Sequence, residues 1–238
     1  MGAQRPDFSS PYYPYFKAIQ GANTMRGSEL IPYKLMQYLL DLPDAYGYEP
    51  VDDNERPRVR LMKYLYHDTP MPLSQPLPTP EQKRSLLFDP DRPDINTDAD
   101  KEKHPKGYRL FMQRIIGQSQ LEAQTLIKCY PGRIFEPRKF ETTIGITFEI
   151  WTNVNLLANT RTYAYDRSYD MEQCLHDALD GVNIDGVGTV SFARQSDTDN
   201  GSEPLYDEKT YVGRYVSCSV SWSEGGGGTV GTISKYYQ

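Results

Sequence analysis

This 238-residue sequence contains few of the residues and none of the spacings that catalytic and metal sites require. It has three cysteines and three histidines, and no two cysteines have the CxxC spacing of a redox or zinc site. His176 follows Cys174 by two positions on a predicted helix, and residues two apart do not share a helix face. No GxSxG, GxxxxGK[ST] or HExxH motif occurs. We therefore predict a chain that is not an enzyme, with no catalytic residue, metal or cofactor.

Long apolar runs are also absent. No run approaches the roughly 18 apolar residues of a membrane-spanning helix, and the mean hydropathy is −0.67, so we expect no membrane contact. The N-terminal segment MGAQRPDFSSPYYPYF lacks the apolar core and cleavage site of a secretory signal. An odd number of cysteines without a disulfide framework indicates synthesis in a reducing cytoplasm.

A basic stripe is missing as well. The chain has 26 Lys+Arg against 32 Asp+Glu, a formal net charge of −6. Residues 1–119 are balanced at 16 of each sign, so the whole excess of negative charge lies in residues 120–238. An acidic half repels a phosphate backbone rather than binding it. We therefore expect no sequence-specific binding of nucleic acid.

Tyrosine is abundant, with 19 residues, and its large ring with a polar hydroxyl suits contact surfaces. Several aromatics lie in terminal segments that we interpret as arms, namely residues 1–27 and a tail that follows the flexible glycines Gly225 to Gly228. The tail can add as a strand to the sheet edge of a neighbour, or it can be a frayed terminus. The interface residues that we predict, unless the arms fold back on their own subunit, are Tyr12, Tyr13, Tyr15, Phe16, Tyr236 and Tyr237.

The remainder of residues 1–119 predicts helices and a proline-rich arm. Leu30, Ile31, Leu35, Tyr38 and Leu39 recur at helical spacing between Ser28 and Asp41. The segment Arg58 to Tyr66 fits a helix or a strand. From His67 to Pro105 eight prolines indicate either disorder or an extended arm, and a helix start at Thr79 and Pro80 favours an ordered arm. The acidic residues from Asp89 to Asp100 are expected to form a solvated loop rather than a calcium site.

Residues 120–224 show regular alternation. Strands are predicted over Gln120 to Glu136, Thr142 to Asn153, Gly188 to Arg194 and Tyr211 to Ser223, with a polar loop, QSDTDNGSEP, before the last. In the second strand, Ile144, Ile146, Phe148 and Ile150 share one face, and Gly145, Thr147, Glu149 and Trp151 share the other. A helix is predicted from Ser168 to Asp180, with His176 toward solvent. The residues of its predicted apolar stripe are Met171, Cys174, Leu175, Ala178 and Leu179.

These elements predict an α+β fold. It comprises an antiparallel sheet in β-β-α-β-β order, one helix packed on its face, and long extended arms. The predicted organisation is an N-terminal helix with proline-rich arms over 1–119, the α+β domain over 120–224, and a Gly-rich flexible tail over 225–238.

The runs GITFEIWTN, SYDMEQCLHDALDG, GTVSFAR and GRYVSCSVSW, which lie between Gln120 and Glu224, resemble the tail terminator and tail-completion (neck) proteins of long-tailed bacteriophages. The resemblance implies a non-enzymatic virion protein, made in the host bacterial cytoplasm, that forms a homo-oligomeric ring. Such a ring ends the tail tube or joins it to the neck, so its partners are its own copies, the tail tube and the neck or connector proteins.

DNA would pass through the lumen of this ring without sequence-specific binding, and we expect the acidic residues of the second half to line it. The alternatives are another phage structural subunit, such as a portal-adjacent adaptor, baseplate or decoration protein, and an enzyme of unfamiliar type.

Overall fold

The computed structural model describes residues 30–40, 56–95, 97–114, 125–135, 142–157, 167–184, 187–193, 200–206 and 210–222. Within these ranges, helices and a sheet form an α+β arrangement, which confirms the predicted class. The helices are α1 Ile31–Leu40, α2 Pro57–Tyr66, α3 Pro80–Arg84, α4 Asp98–Lys103, α5 Val154–Leu157 and α6 Arg167–Leu179. The strands are β1 Leu110–Phe111, β2 Thr125–Phe135, β3 Thr142–Asn153, β4 Asn183–Ile184, β5 Gly188–Ser191, β6 Gly201–Tyr206 and β7 Tyr211–Trp222.

The sheet is mixed, and its strand order is β1-β2-β3-β7-β5-β4. Strand β6 lies outside this order and pairs with β7. Strands β5 and β6 lie end to end along one side of β7. The pairing of β1 with β2 is parallel, whereas the other pairings are antiparallel. The predicted purely antiparallel sheet is therefore wrong at this edge, because β1 comes from the N-terminal half and was not predicted as a strand.

The sheet also contains more elements than predicted. From β2 onward, the structure adds α5, β4 and β6 to the expected two strands, helix and two strands. Strand β6 includes residues that were predicted to lie in a polar loop. Glu203 and Pro204 have low β propensity, which explains the error, and their pairing with Tyr215 and Arg214 of β7 overrides that propensity.

The helix-side face of the sheet forms the core. Ile144, Ile146, Phe148 and Ile150 of β3 are at most 1% exposed, as the alternation predicted. They belong to one hydrophobic cluster with apolar residues of β2, β7, α1, α2 and α6. Full burial of each such side chain is worth about 1.5–3 kcal/mol, so this cluster is the main source of stability. The buried apolar residues that α6 contributes are the predicted ones, Met171, Cys174, Leu175, Ala178 and Leu179.

Helices α1 and α2 complete the layer of helices that packs on this face of the sheet. Helix α1 lies within the predicted range, and Ser28, its predicted cap, lies outside the described residues. Leu30, predicted in its apolar stripe, is 51% exposed. The segment Arg58 to Tyr66, which from sequence fits a helix or a strand, belongs to helix α2. This helix begins with Pro57, at a position where the missing backbone N–H of proline costs no hydrogen bond. Its burial extends around most of its surface, including Leu61, Met62 and Leu65, which is why helical periodicity was obscured in the sequence.

The proline-rich segment is an ordered part of the fold in the residues described. Thr79 caps α3 with a reciprocal capping box, which confirms the predicted helix start, and Thr97 caps α4 in the same way. Leu86 and Phe88 are buried, and the N–H of Phe88 donates to the carbonyl of Leu110 over 2.9 Å. The segment therefore packs on the sheet of its own chain. The predicted arms at residues 1–27 and 225–238 lie outside the described residues.

The β3–β7 ladder gives a test of this packing at Gly213. This residue pairs with Trp151, and a Cβ added to it would overlap the backbone oxygen of Ile150. We predict that Gly213→Ala lowers the free energy of unfolding by about 1–3 kcal/mol, because the two backbones must separate. Urea denaturation measures this change.

The control is Gly201→Ala, since a Cβ at Gly201 on β6 meets nothing within 4 Å. Its effect should stay within about 0.5 kcal/mol of zero. Equal stabilities of the two variants would contradict the close approach of β3 and β7.

Candidate functional site

The face of the β2-β3-β7 layer that points away from the helices carries aromatic and polar side chains. Because residues alternate along a strand, Thr147, Glu149 and Trp151 of β3 lie opposite the buried Ile146, Phe148 and Ile150. The register with β2 and β7 brings further residues of the same parity beside them. We call this surface the aromatic face and define it by Lys128, Tyr130, Thr147, Glu149, Trp151 and Tyr215.

The carboxylate of Glu149 is the centre of the aromatic face. Trp151 Nε1 donates to its Oε2 over 3.0 Å, and the Tyr130 hydroxyl donates to its Oε1. Lys128 Nζ lies 3.0 Å from Oε2 and 5.2 Å from the centroid of the Trp151 ring. A carboxylate that accepts from three side chains fixes the rotamers of all three, so the network is rigid.

The network also sets the ionisation of its members. Burial alone favours the neutral form of Glu149, but the hydrogen bonds from Tyr130, Trp151 and Lys128 outweigh it, so its pKa lies below the ordinary 4.5. Burial first, and then the bond to Glu149, raise the pKa of Tyr130 above its ordinary 10.0. At neutral pH the pair therefore consists of a carboxylate and a neutral phenol that donates to it.

The remaining aromatic of this surface comes from β7. The hydroxyl of Tyr215 lies 3.1 Å from Thr147 Oγ1, which ties β7 to β3 on the face that the helices do not cover. Tyr215 and Trp151 are half-buried, whereas Tyr130 and Glu149 are 9% exposed. The aromatic face thus has two layers. Partly exposed aromatic rings are fixed by hydrogen bonds, and the polar network that fixes them is buried beneath.

One end of the aromatic face is anchored by the N-terminal half. Trp151 packs against a second hydrophobic cluster, whose Phe88 and Tyr108 rings meet edge to face at 5.3 Å between centroids. His104 supports Tyr108 with its ring 4.8 Å away, and its Nδ1 lies 2.7 Å from the Ser85 carbonyl. The buried members of this cluster are Phe88, Tyr108, Phe111 and Leu126.

A second polar cluster joins α2 to α6. Arg60 Nη2 lies 2.5 Å from both carboxylate oxygens of Asp170, and the Tyr64 hydroxyl donates to the same carboxylate. Arg167, 1% exposed, places its guanidinium 5.4 Å from the Tyr64 ring centroid, and it donates to the carbonyl of Thr69 over 2.5 Å. These contacts link elements that are distant in sequence, so we assign this cluster a structural role.

A third polar cluster joins α6 to the β6–β7 hairpin. Arg214 forms an ion pair with Glu172 and donates to Ser202 Oγ over 2.7 Å. His176, predicted to point toward solvent, has 35% of its side chain exposed and lays its ring on Phe192 at 4.1 Å between centroids. It is therefore a packed residue that retains some exposure.

The cysteines are core residues. Cys174 is 3% exposed, as predicted, and burial raises the pKa of its thiol to about 12. Cys129 and Cys218 are fully buried on the helix side, and burial raises both of their pKa values. At neutral pH all three are therefore uncharged thiols.

Among the described residues, no group of three or more His, Cys, Asp and Glu side chains lies close enough to hold a metal ion. The helices of these same ranges include none with the length and apolar character to cross a membrane.

The predicted interface residues Tyr12, Tyr13, Tyr15, Phe16, Tyr236 and Tyr237 all lie outside the described residues, so their role stays a prediction. Sequence reasoning placed Glu149 and Trp151 on the correct strand face but did not select them as a site. The signal was a charged residue in the middle of an apolar strand. Its partners Lys128 and Tyr130 could not be chosen, because they depend on the register of β2 with β3.

No protein-family model matches this chain, and searches of characterised proteins and of solved structures also find no match.

The Glu149 network predicts a specific pH dependence. A group whose pKa is depressed by folding adds stability above its unfolded pKa, and this stability is lost as the pH falls through the folded value. We predict that Glu149→Gln lowers the free energy of unfolding at neutral pH by about 1–3 kcal/mol. The difference from the wild type should shrink below about pH 4.5. Urea denaturation at a series of pH values measures it.

The control is Glu203→Gln, which removes an exposed carboxylate from β6. We expect it to change stability little at any pH. A Glu149→Gln penalty that persisted unchanged into acid would contradict the role of the charge.

Proposed function

We propose that this chain is a non-enzymatic structural subunit of a phage virion, which assembles into a ring that ends the tail tube or joins it to the neck. The observation that carries the proposal is the aromatic face. A sheet covered on one side by its own helices presents on the other side the half-buried rings of Tyr215 and Trp151, which are held by the buried side chains of Thr147 and Glu149. Such a surface is suited to contact another protein.

The composition of the aromatic face supports this assignment. Tyrosine and tryptophan are enriched in protein interfaces and often provide most of the binding energy. Side chains already fixed by Glu149 lose little conformational entropy on binding, and this raises affinity. We infer from the ring that the sequence resemblance implies that the occupant is a second copy of the chain. A subunit that contacts its neighbour through two different surfaces, of which the aromatic face would be one, forms a ring when the rotation closes.

The sequence resemblance adds the finer parts of the proposal. In this proposal, the antiparallel β-β-α-β-β unit of tail terminator and tail-completion proteins corresponds to β2, β3, α6, β5 and β7. Strands β1, β4 and β6 are additions to that unit. The terminal arms contact neighbouring subunits, the tail tube, and neck or connector proteins. Acidic residues of the second half line a lumen through which DNA passes without sequence-specific contacts. The resulting ring belongs to the virion.

The test of this proposal is the assembly state of the purified full-length chain. We predict discrete rings of one subunit number in electron microscopy, or a monomer that assembles on isolated phage tail tubes. Ser217→Arg should abolish this assembly, because the half-buried Ser217 pairs with Thr147 and lies two residues from Tyr215 on the same side of the sheet, next to the aromatic face. An added guanidinium there separates the contacting surfaces.

The matched control is Gln173→Arg, which adds the same side chain on the exposed side of α6 and should leave assembly intact. Thermal unfolding of both variants checks that they fold. A wild type that stays monomeric with and without tail tubes would overturn the proposal. Virions that lack the protein and yet have tails of normal length and attachment would overturn the assigned position in the tail.

A further inference from the structure

In the part of the chain that the structure describes, one edge of the sheet is formed by β1 and β2 and the opposite edge by β4 and β6. Strands β1 and β4 have only two residues each, so the longer outer strands are β2 and β6. Strand β1 pairs with β2 only at Ile127 and Lys128, and no described strand pairs with β2 beyond that point. At the other edge, β6 pairs with β7, and no described strand lies on its outer side. Outer strands present unpaired backbone groups that other chains can join.

The directions of these strands would permit an open-ended row of copies. Strands β2, β3, β7 and β6 alternate in direction, since each pairing is antiparallel. The β6 edge of one copy would therefore meet the β2 edge of the next in antiparallel orientation. Because the contact uses two different edges, each added copy would leave a new edge exposed, and growth would not stop.

A proline interrupts the outer edge of β2. The N–H of Ile127 donates to the carbonyl of Arg109 over 2.8 Å, so the backbone groups of Ile127 face outward. Alternation then turns the backbone groups of Cys129 and Pro131 outward too, because the register with β3 is regular through Pro131. Pro131 has no N–H and is exposed, and the register shifts directly after it.

The outer edge of β6 carries the same feature. Pro204 lies in the middle of this strand, opposite Arg214 of β7, and it is exposed. A proline within a ladder is tolerated where its nitrogen faces away from the paired strand. The missing donor of Pro204 therefore falls on the outer side of β6, between the outward-facing groups of Ser202 and Tyr206.

We propose that Pro131 and Pro204 together block the addition of strands to the two sheet edges and so prevent copies of this chain from joining by backbone pairing. Each proline removes one donor from the centre of an exposed edge and places a ring where a partner strand would lie. The sheets of two copies are thereby prevented from joining through their β2 and β6 edges. The inference goes beyond the proposed function, since it holds for any assembly state of the wild type.

The test replaces each proline by threonine, which restores the missing backbone N–H. The full-length wild type, Pro131→Thr, Pro204→Thr and the double variant are compared by sedimentation velocity over a range of concentrations. The double variant should form species whose size increases with concentration, whereas the wild type and each single variant keep a fixed size distribution. Pro90→Thr, at an exposed turn proline outside the sheet, is the control and should behave as the wild type.

A double variant that is folded by circular dichroism and thermal unfolding, yet has the size distribution of the wild type, would overturn the proposal. If the double variant does not fold, Pro131→Thr is mixed with Pro204→Thr, so that one opened β2 edge can meet one opened β6 edge. A 1:1 complex of the two single variants supports the proposal, and the absence of association overturns it. Ring formation by the wild type tests the proposed function separately.

Discussion

The burial of one face of the long strands under the chain's own helices is the constraint on which the rest of the structure depends. Side chains alternate along β3, so packing Ile146 and Phe148 against the helices sends Thr147 and Glu149 to the other side. A shift of one residue would place a carboxylate in the hydrophobic core. The register that fills the core therefore also fixes the position of the aromatic face.

The aromatic face and the sheet edges, which the helices do not cover, have complementary properties. On the aromatic face, the carboxylate of Glu149 holds Tyr130 and Trp151 in place, so a partner would meet preformed side chains. At the sheet edges, Pro131 and Pro204 remove backbone donors. We propose that a subunit of this design associates through shaped side-chain contacts, which define one geometry, rather than through strand addition, which accepts many registers. Defined geometry is what a closed ring requires.

The sequence was informative where the signal is local. The bounds of β3 were predicted correctly and those of α6 to within one residue at each end, because alternation and helical spacing reflect burial of one face. Strand β6 and the placement of the proline-rich segment were not predictable, since both depend on pairing with distant residues. For the same reason Glu149 was assigned to a face, but its partners on β2 were not.

The central claim is that the aromatic face is the surface through which the chain contacts another copy. Hydroxyl-radical footprinting with mass spectrometry, applied to the assembled and the dissociated protein, tests this claim most directly. The account predicts that assembly protects Tyr215 and Trp151, while Tyr33, exposed on α1, keeps its reactivity. Protection of Tyr33 with unchanged reactivity at Tyr215 and Trp151 would contradict it.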